Sequence, residues 1–194
     1  MNRAVFLDRD GTINVEKNYL YKPEDWEWIQ GSLAALKGFN RLGYLVIVVT
    51  NQAGVARGLY NCNDVDRLHA YVSKLLEEAG AQIHGYYYCP HHPCYGEVKN
   101  CDCRKPKSGL LFKAQAEHNI NLKKSFMIGD KASDVYAGYG AGVNTILVTT
   151  GYGLGEINNI KKETLIAENL FEAYKLIEGR RRQYEKIGCS YYQS

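Results

Sequence analysis

The chain has 194 residues, long enough for one domain that buries about 70% of its unfolded surface without a disulfide or metal staple. Its 24 Lys and Arg against 21 Asp and Glu leave a formal charge of only +3, which excludes a surface built to hold nucleic acid by charge alone. The longest purely apolar run, residues 44–49, is far short of the roughly 20 residues a bilayer requires, and Asp8 interrupts the N-terminal run too early for a signal peptide, so the expectation is a cytoplasmic monomer off the membrane.

Ala4-Val5-Phe6-Leu7 reads as a buried strand that ends in Asp8-Arg9-Asp10-Gly11-Thr12, two carboxylates two residues apart and a glycine that permits a sharp turn. Asp is also a common turn residue, so this stretch by itself fits an acidic loop equally well. Residues 14–30 follow as a polar and aromatic loop or flap whose Tyr19, Tyr21, Trp26 and Trp28 are expected to pack against the body. Ser32 is placed as the N-cap of a helix with Leu33, Leu36, Phe39 and Leu42 on one face, stopped by Gly43. Tyr44 to Val49 is a buried strand that opens into the polar, glycine-punctuated loop 50–58. A second helix carries Val65, Leu68, Val72, Leu75, Leu76 and Ala79 and ends at Gly80.

His84 to Tyr88 is a third strand, and it runs into the cysteine-rich segment 89–103. Ser108 can cap a helix with Leu110, Leu111 and Ala114. Ser125 to Asp130 is a fourth strand with an acid at its exit, followed by a short Ala- and Gly-rich helix; Val143 to Val148 is a fifth. Beyond a helix around residues 170–177, the run Arg180-Arg181-Arg182 reads as a solvated helix end, and residues 189–194 carry no recognisable chemistry. Strands alternating with helices give a parallel sheet with right-handed crossovers, so Asp8, Asp10, Thr50, Arg104, Lys105 and Asp130 are expected along one edge.

That set can act on a phosphate ester. Asp8 and Asp130 can share Mg²⁺, a hard cation that takes a few carboxylates plus waters and substrate oxygens. Asp8 can attack phosphorus, Asp10 can serve the leaving oxygen and then a water, and Thr50 and Lys105 can hold the equatorial oxygens. Asp8-Arg9-Asp10-Gly11-Thr12, Thr50-Asn51, Lys105 and Gly129-Asp130-Lys131-Ala132-Ser133-Asp134 together resemble the four ordered motifs of the haloacid dehalogenase superfamily of phosphatases. The resemblance implies a Rossmann-like three-layer α/β sandwich with a central parallel sheet and no separate cap domain, over a single domain spanning 1–194. It also implies Asp8 as nucleophile, Asp10 as acid/base, and Asp8, Asp130 and the backbone carbonyl of Asp10 around Mg²⁺. Asp134 resembles an acid that orients its neighbours.

Of six cysteines, four crowd between residues 89 and 103, a clustering that favours metal over a disulfide framework. Cys89, His91, Cys101 and Cys103 are the chosen ligands for a structural, tetrahedral Zn²⁺, with His92 and Cys94 as rivals. The zinc loop 89–103 would then fold without a core and hold Arg104 and Lys105 at the site's rim.

Within the superfamily, the zinc loop and the segment Thr50 to Gly58 resemble phosphatases of a small-molecule sugar bisphosphate, with histidinol-phosphate phosphatases as the alternative. The resemblance places substrate contacts at Glu16, Lys17, Asn18, Tyr19, Thr50, Asn51, Gln52, Ala53, Arg57, Arg104, Lys105 and Lys131. Arg57, Arg104 and Lys107 supply the charge for a second anion. A zinc-dependent interaction module would leave the ordered acids unexplained, and the weak net charge and the lack of a stacking groove in this sequence argue against a nucleic-acid 3′-phosphatase, which would share the acid motifs.

Overall fold

The computed structural model describes the backbone of residues 1–190 and the side chains of residues 1–180. Arg181, Arg182 and the tail 189–194 therefore lie outside the residues whose side chains are described. Six parallel strands form one sheet: β1 (Arg3–Leu7), β2 (Tyr44–Asn51), β3 (Gly85–Cys89), β4 (Phe126–Gly129), β5 (Asn144–Val148) and β6 (Leu165–Ala167), in the order β3-β2-β1-β4-β5-β6. β1 is flanked by β2 and β4, with Val5 level with Val46 on one side and Phe126 on the other.

Alternating side chains of β1 feed two cores. Val5 and Leu7 face one side, where α1 (Ser32–Arg41), α3 (Cys62–Glu78) and α7 (Leu170–Ser190) bury Leu36, Phe39, Leu68, Val72, Leu170 and Ile177. Ala4 and Phe6 face the other, with Leu110, Leu111 and Ala114 of α4 (Gly109–His118) and Ala137 and Ala141 of α5 (Ala132–Ala141). Apolar strands covered on both faces are the mark of a parallel, Rossmann-like sheet in three layers. No helix of the described residues is long and apolar enough to cross a membrane.

Several boundaries differ from the expected ones for identifiable reasons. The N-cap of α1 is Gly31 in the left-handed region (φ 85°), while Ser32 sits inside the helix and aims its hydroxyl at the Thr12 carbonyl. Ser108 holds the N-cap position of α4 as expected, but its hydroxyl makes no capping bond; it donates to the Ala137 carbonyl at 2.8 Å and ties α4 to α5. β3 begins at Gly85 because His84 Nδ1 accepts the Val46 N–H at 3.0 Å, taking the ladder position that a strand carbonyl would fill. The sixth strand has only three residues, too short to register as an apolar period. Part of loop 50–58 is helical, as α2 (Ala53–Ala56).

The flap 14–30 is pinned at both ends. Asn14 bridges to Trp28, and Trp26 and Trp28 meet edge to face at 5.1 Å against the first core. Tyr21 stacks on Tyr60 at 5.1 Å, whereas Tyr19 turns toward the pocket at the strands' carboxyl ends.

Candidate active site

Because β1 and β4 are neighbours, their exits bring Asp8 and Asp130 together, and Asp134 joins them from the first turn of α5. One carboxylate oxygen from each lies within 4.8 Å of the others. All three are buried. Lys105 Nζ is 3.0 Å from Asp8 Oδ1 and 2.6 Å from Asp134 Oδ1, and donates to the Val49 carbonyl at 2.7 Å. Burial opposes the charge on Lys105, but Asp134 and Asp8 outweigh it and hold the amine as an ammonium.

One ammonium does not neutralise three carboxylates. Asp130 Oδ1 is buried without a hydrogen-bond partner among the described residues, and burial, then Asp8 and Asp134, push its carboxyl up to about 8. An orphaned oxygen and a surplus of negative charge are what a hard divalent cation corrects, and oxygen-only donors suit Mg²⁺. Two glycines make room for this acid. Gly11 (φ 79°) and Gly151 (φ 57°) lie on either side of it, and a Cβ on either would collide with Asp130 Oδ2.

The Asp10 carboxylate is not in that cluster. It turns back to Arg9, which holds it at 2.9 Å, and it also accepts from Asn14 Nδ2 at 2.9 Å and Gln52 Nε2 at 3.1 Å. Burial works to raise its pKa, yet Arg9, Asn14 and Gln52 together carry it below the usual carboxylate value. The expected placement of Asp10 beside Mg²⁺ therefore concerns its backbone carbonyl and not its side chain.

Arg9, which no motif marks with a role of its own, organises this side of the site. It is 1% exposed and also donates to the Leu20 carbonyl at 2.8 Å and to His69 Nε2 at 3.3 Å. Burial and then Arg9 push His69 down to about 3. A helical His on a predicted apolar face gave no signal of this role beyond its exceptional position among valines and leucines.

Thr50, at the end of β2, accepts from Gln52 Nε2 at 3.0 Å, and Tyr60 OH donates to Gln52 Oε1 at 2.7 Å. A cavity of about 330 Å³ stands over the carboxyl edge; Asp8, Asp10, Thr50 and Lys105 lie at its base. Glu16, Asn18, Tyr19, Asn51, Gln52, Ala53, Arg104 and Lys131 also line it. Three of the expected residues do not. Lys17 pairs with Glu27 at 2.9 Å, Arg57 stands 4.0 Å from the Tyr95 ring centroid, and Lys107 donates to the Cys101 carbonyl at 2.7 Å. Lys17 and Lys107 spend their charge outside the cavity, while Arg57 also lies 5.7 Å from the ring centroid of Tyr19, a cavity-lining residue. Tyr60, His92, Ser133 and Tyr152 line it without having been expected to.

Cys89, His91, Cys101 and Cys103 each offer a donor atom within 4.8 Å of the others. Cys89 Sγ is 3.7 Å from Cys101 Sγ, and His91 Nδ1 is 3.3 Å from Cys103 Sγ. A tetrahedron with Zn–S bonds of about 2.3 Å has edges of about 3.8 Å, which the Cys89–Cys101 pair matches, while Cys103 Sγ lies closer to Cys89 Sγ, at 3.0 Å; the four donors are gathered as a tetrahedral ion requires. The rivals go elsewhere: Cys94 is exposed, and its N–H donates to His92 Nδ1 at 3.1 Å. Burial pushes the Cys89 and Cys103 thiols up, while against burial the hydrogen bonds from Cys103 and His91 bring Cys101 down to about 6. Arg104 Nη1 donates to the His91 carbonyl at 3.0 Å, which couples the loop to the cavity rim.

A family model described as HAD-hydrolase-like matches residues 102–173. The chain is 42% identical, over 92% of its length and 98% of the relative's, to D-glycero-beta-D-manno-heptose-1,7-bisphosphate 7-phosphatase of Pasteurella multocida (strain Pm70). It is 41% identical, over 91% of its length and 97% of the relative's, to D-glycero-alpha-D-manno-heptose-1,7-bisphosphate 7-phosphatase of Photorhabdus laumondii. Among solved structures, D,D-heptose 1,7-bisphosphate phosphatase from B. bronchiseptica, complexed with magnesium and phosphate, superposes with a TM-score of 0.83 at 27% identity, covering 92% of this chain and 99% of that one. By fold, by the acids gathered at its sheet edge and by end-to-end similarity, the chain belongs to the D-glycero-D-manno-heptose-1,7-bisphosphate 7-phosphatase family of HAD-like hydrolases.

Proposed function

We propose that this protein removes the 7-phosphate of D-glycero-D-manno-heptose 1,7-bisphosphate, leaving the heptose 1-phosphate and inorganic phosphate. The observation that carries the reading is the Asp8, Asp130 and Asp134 cluster with the Lys105 ammonium against it, at the base of a cavity rimmed by Arg104 and Lys131. Mg²⁺, held by Asp8, Asp130 and the Asp10 carbonyl, would offset the repulsion between an anionic nucleophile and an anionic phosphate.

An Asp8 carboxylate oxygen forms a bond to phosphorus as the bond from phosphorus to the C7 oxygen breaks, and Asp10 delivers a proton to that oxygen. An incoming phosphate dianion beside Asp10 favours the protonated acid that this step needs. In the second step Asp10, again a carboxylate, takes a proton from water. The hydroxide attacks phosphorus, and the aspartyl-phosphate breaks to regenerate Asp8 and release phosphate. Lys105 and the Thr50 hydroxyl stabilise the equatorial oxygens, on which charge is spread.

The substrate contacts supported by the cavity lining are Glu16, Asn18, Tyr19, Asn51, Gln52, Ala53, Arg104 and Lys131. A cationic rim suits a second phosphate better than the amine of histidinol phosphate. The Cys89, His91, Cys101 and Cys103 set supports a structural Zn²⁺ that organises the loop ahead of Arg104. A phosphate-release assay over both anomers of the heptose bisphosphate, histidinol phosphate and a 3′-phosphorylated oligonucleotide tests the reading. Turnover of a heptose bisphosphate at least 100-fold above the others is expected, and preference for histidinol phosphate or the oligonucleotide would overturn it.

A further inference from the structure

Tyr152 follows β5, on the side of the cavity away from the zinc loop. Its backbone N–H donates to Asp130 Oδ2 at 2.9 Å, so its position is tied to the acid cluster, while its side chain extends over the cavity rim. The ring lies under Lys131, whose Nζ is 4.4 Å from the centroid. The phenol donates to Asn18 Oδ1 at 3.3 Å, 134 positions away in the chain.

Those contacts close on themselves. Asn18 N–H donates to Glu16 Oε1 at 2.8 Å, and the other Glu16 oxygen lies 3.7 Å from Lys131 Nζ. Asn18 and Tyr19 are consecutive non-glycine residues in the left-handed region, with φ of 51° and 69°. A turn of that kind persists only where surrounding contacts determine it. Arg57 lies over the Tyr19 ring at 5.7 Å, and the phenol of Tyr152 reaches Asn18 from the other side of the cavity.

We propose that Tyr152 is a specificity-determining residue, whose phenol latches the Asn18-Tyr19 turn and whose ring seats Lys131, so that the two rims meet the sugar and distal-anion part of a substrate. The inference rests on the sugar-bisphosphate reading above. In a phosphatase whose pocket is framed by loops, such a bridge grips the part of the substrate that does not react. Its energy therefore appears in discrimination among phosphate esters more than in the chemical step. A small aryl phosphate, which fills the phosphoryl site and little else, does not reach it.

The test compares the wild type, Tyr152→Phe, Tyr152→Ala and Asn18→Ala by kcat and KM on heptose 1,7-bisphosphate and on p-nitrophenyl phosphate. Tyr152→Phe is expected to raise KM for the bisphosphate about threefold, and Tyr152→Ala about tenfold or more, with kcat changing less than KM. The ratio of kcat/KM for the bisphosphate to that for p-nitrophenyl phosphate should fall about tenfold in Tyr152→Ala. Combining Tyr152→Phe with Asn18→Ala should cost little more than Asn18→Ala alone, because both remove one hydrogen bond. Equal losses on the two substrates, a loss confined to kcat, or additive losses in the double variant would overturn the proposal. Tyr152→Phe keeps the ring and carries the test should the alanine variant fold poorly. Failure of the substrate reading shows in the wild type alone, as turnover of p-nitrophenyl phosphate without the heptose bisphosphate. The same variant ratios are then measured on the sugar phosphate that the wild type hydrolyses fastest, and an unchanged ratio there overturns the role of Tyr152.

Discussion

Asn51 grips Lys105 from both sides of one residue: its Oδ1 accepts the Lys105 N–H at 3.0 Å and its Nδ2 donates to the Lys105 carbonyl at 3.1 Å. The last residue of β2 thereby fixes the first segment after the zinc loop, 54 positions on. Lys105 in turn reaches Asp8 and Asp134, so the ammonium that would face the phosphoryl group is aimed by an amide on another strand.

Replacing Asn51 by Ala removes both hydrogen bonds and leaves the ammonium in place but loosely aimed. At about 1 kcal/mol for each bond, kcat/KM should fall by about 10- to 100-fold. Steady-state kinetics with Mg²⁺ in excess measures it. A variant with wild-type kinetics would show that the charge of Lys105 is sufficient without its alignment.

Elemental analysis of purified protein is expected to find one zinc per chain, lost in Cys103→Ser and retained in Cys94→Ser and His92→Ala, since only the first belongs to the four-donor cluster. Stripping zinc and restoring Mg²⁺ should raise KM for the bisphosphate by about tenfold or more, because Arg104 loses the ordered His91 carbonyl that anchors it. Unchanged KM in the stripped protein would remove the loop from substrate recognition.

Asp130→Asn tests the repulsion at the sheet edge. Without added metal, wild-type stability should decline as pH rises from 4 to 8, because the folded state holds the Asp130 carboxyl at about 8 and resists an ionisation that the unfolded chain completes near 3.8. Asparagine abolishes that decline and should raise the metal-free melting temperature by roughly 2–8 °C, corresponding to 1–2 kcal/mol. The rise that Mg²⁺ produces in the wild type should disappear, since the cluster then has one carboxylate fewer. Differential scanning fluorimetry with and without Mg²⁺ reads both effects.

His69 gives the opposite sign at the acid end. Arg9 donates to Nε2, so the ring is neutral in the fold with its proton on Nδ1, and it resists protonation down to about 3 against an ordinary 6.5. Below pH 6.5 the unfolded chain binds a proton that the folded chain refuses, and stability falls with pH by up to about 1.4 kcal/mol per unit. His69→Gln, which keeps an acceptor for Arg9, should flatten the urea midpoint between pH 6.5 and 4. Parallel slopes for variant and wild type would rule the contribution out.

The parallel sheet, its two covering layers and the gathering of Asp8, Thr50 and Asp130 at one edge were legible in the residue order. Apolar runs that end in polar residues, separated by helical periods, leave little choice once crossovers are right-handed. His84 misled at a strand boundary and Ser108 in where its hydroxyl goes, for the same reason. Each has a side chain able to replace a backbone partner, and whether it does depends on what another element brings near: the Val46 amide for one, the Ala137 carbonyl for the other.

Local pattern thus determined which strand exits carry acids and which segment collects soft ligands, because those are properties of covalent neighbours. Where charge is spent was decided only by the fold. Lys17 and Lys107 look like anion ligands in the chain, yet face a glutamate and a carbonyl, and Arg57 lies over the rings of Tyr95 and Tyr19. Arg9 and Tyr152 carry no role of their own in the sequence, and Asn51 only that of a substrate contact, and yet they hold Asp10, the cavity rim and Lys105. Electrostatic and hydrogen-bond partners act through space over a few ångströms, and residues far apart in sequence come within that range only when the sheet and its layers have assembled.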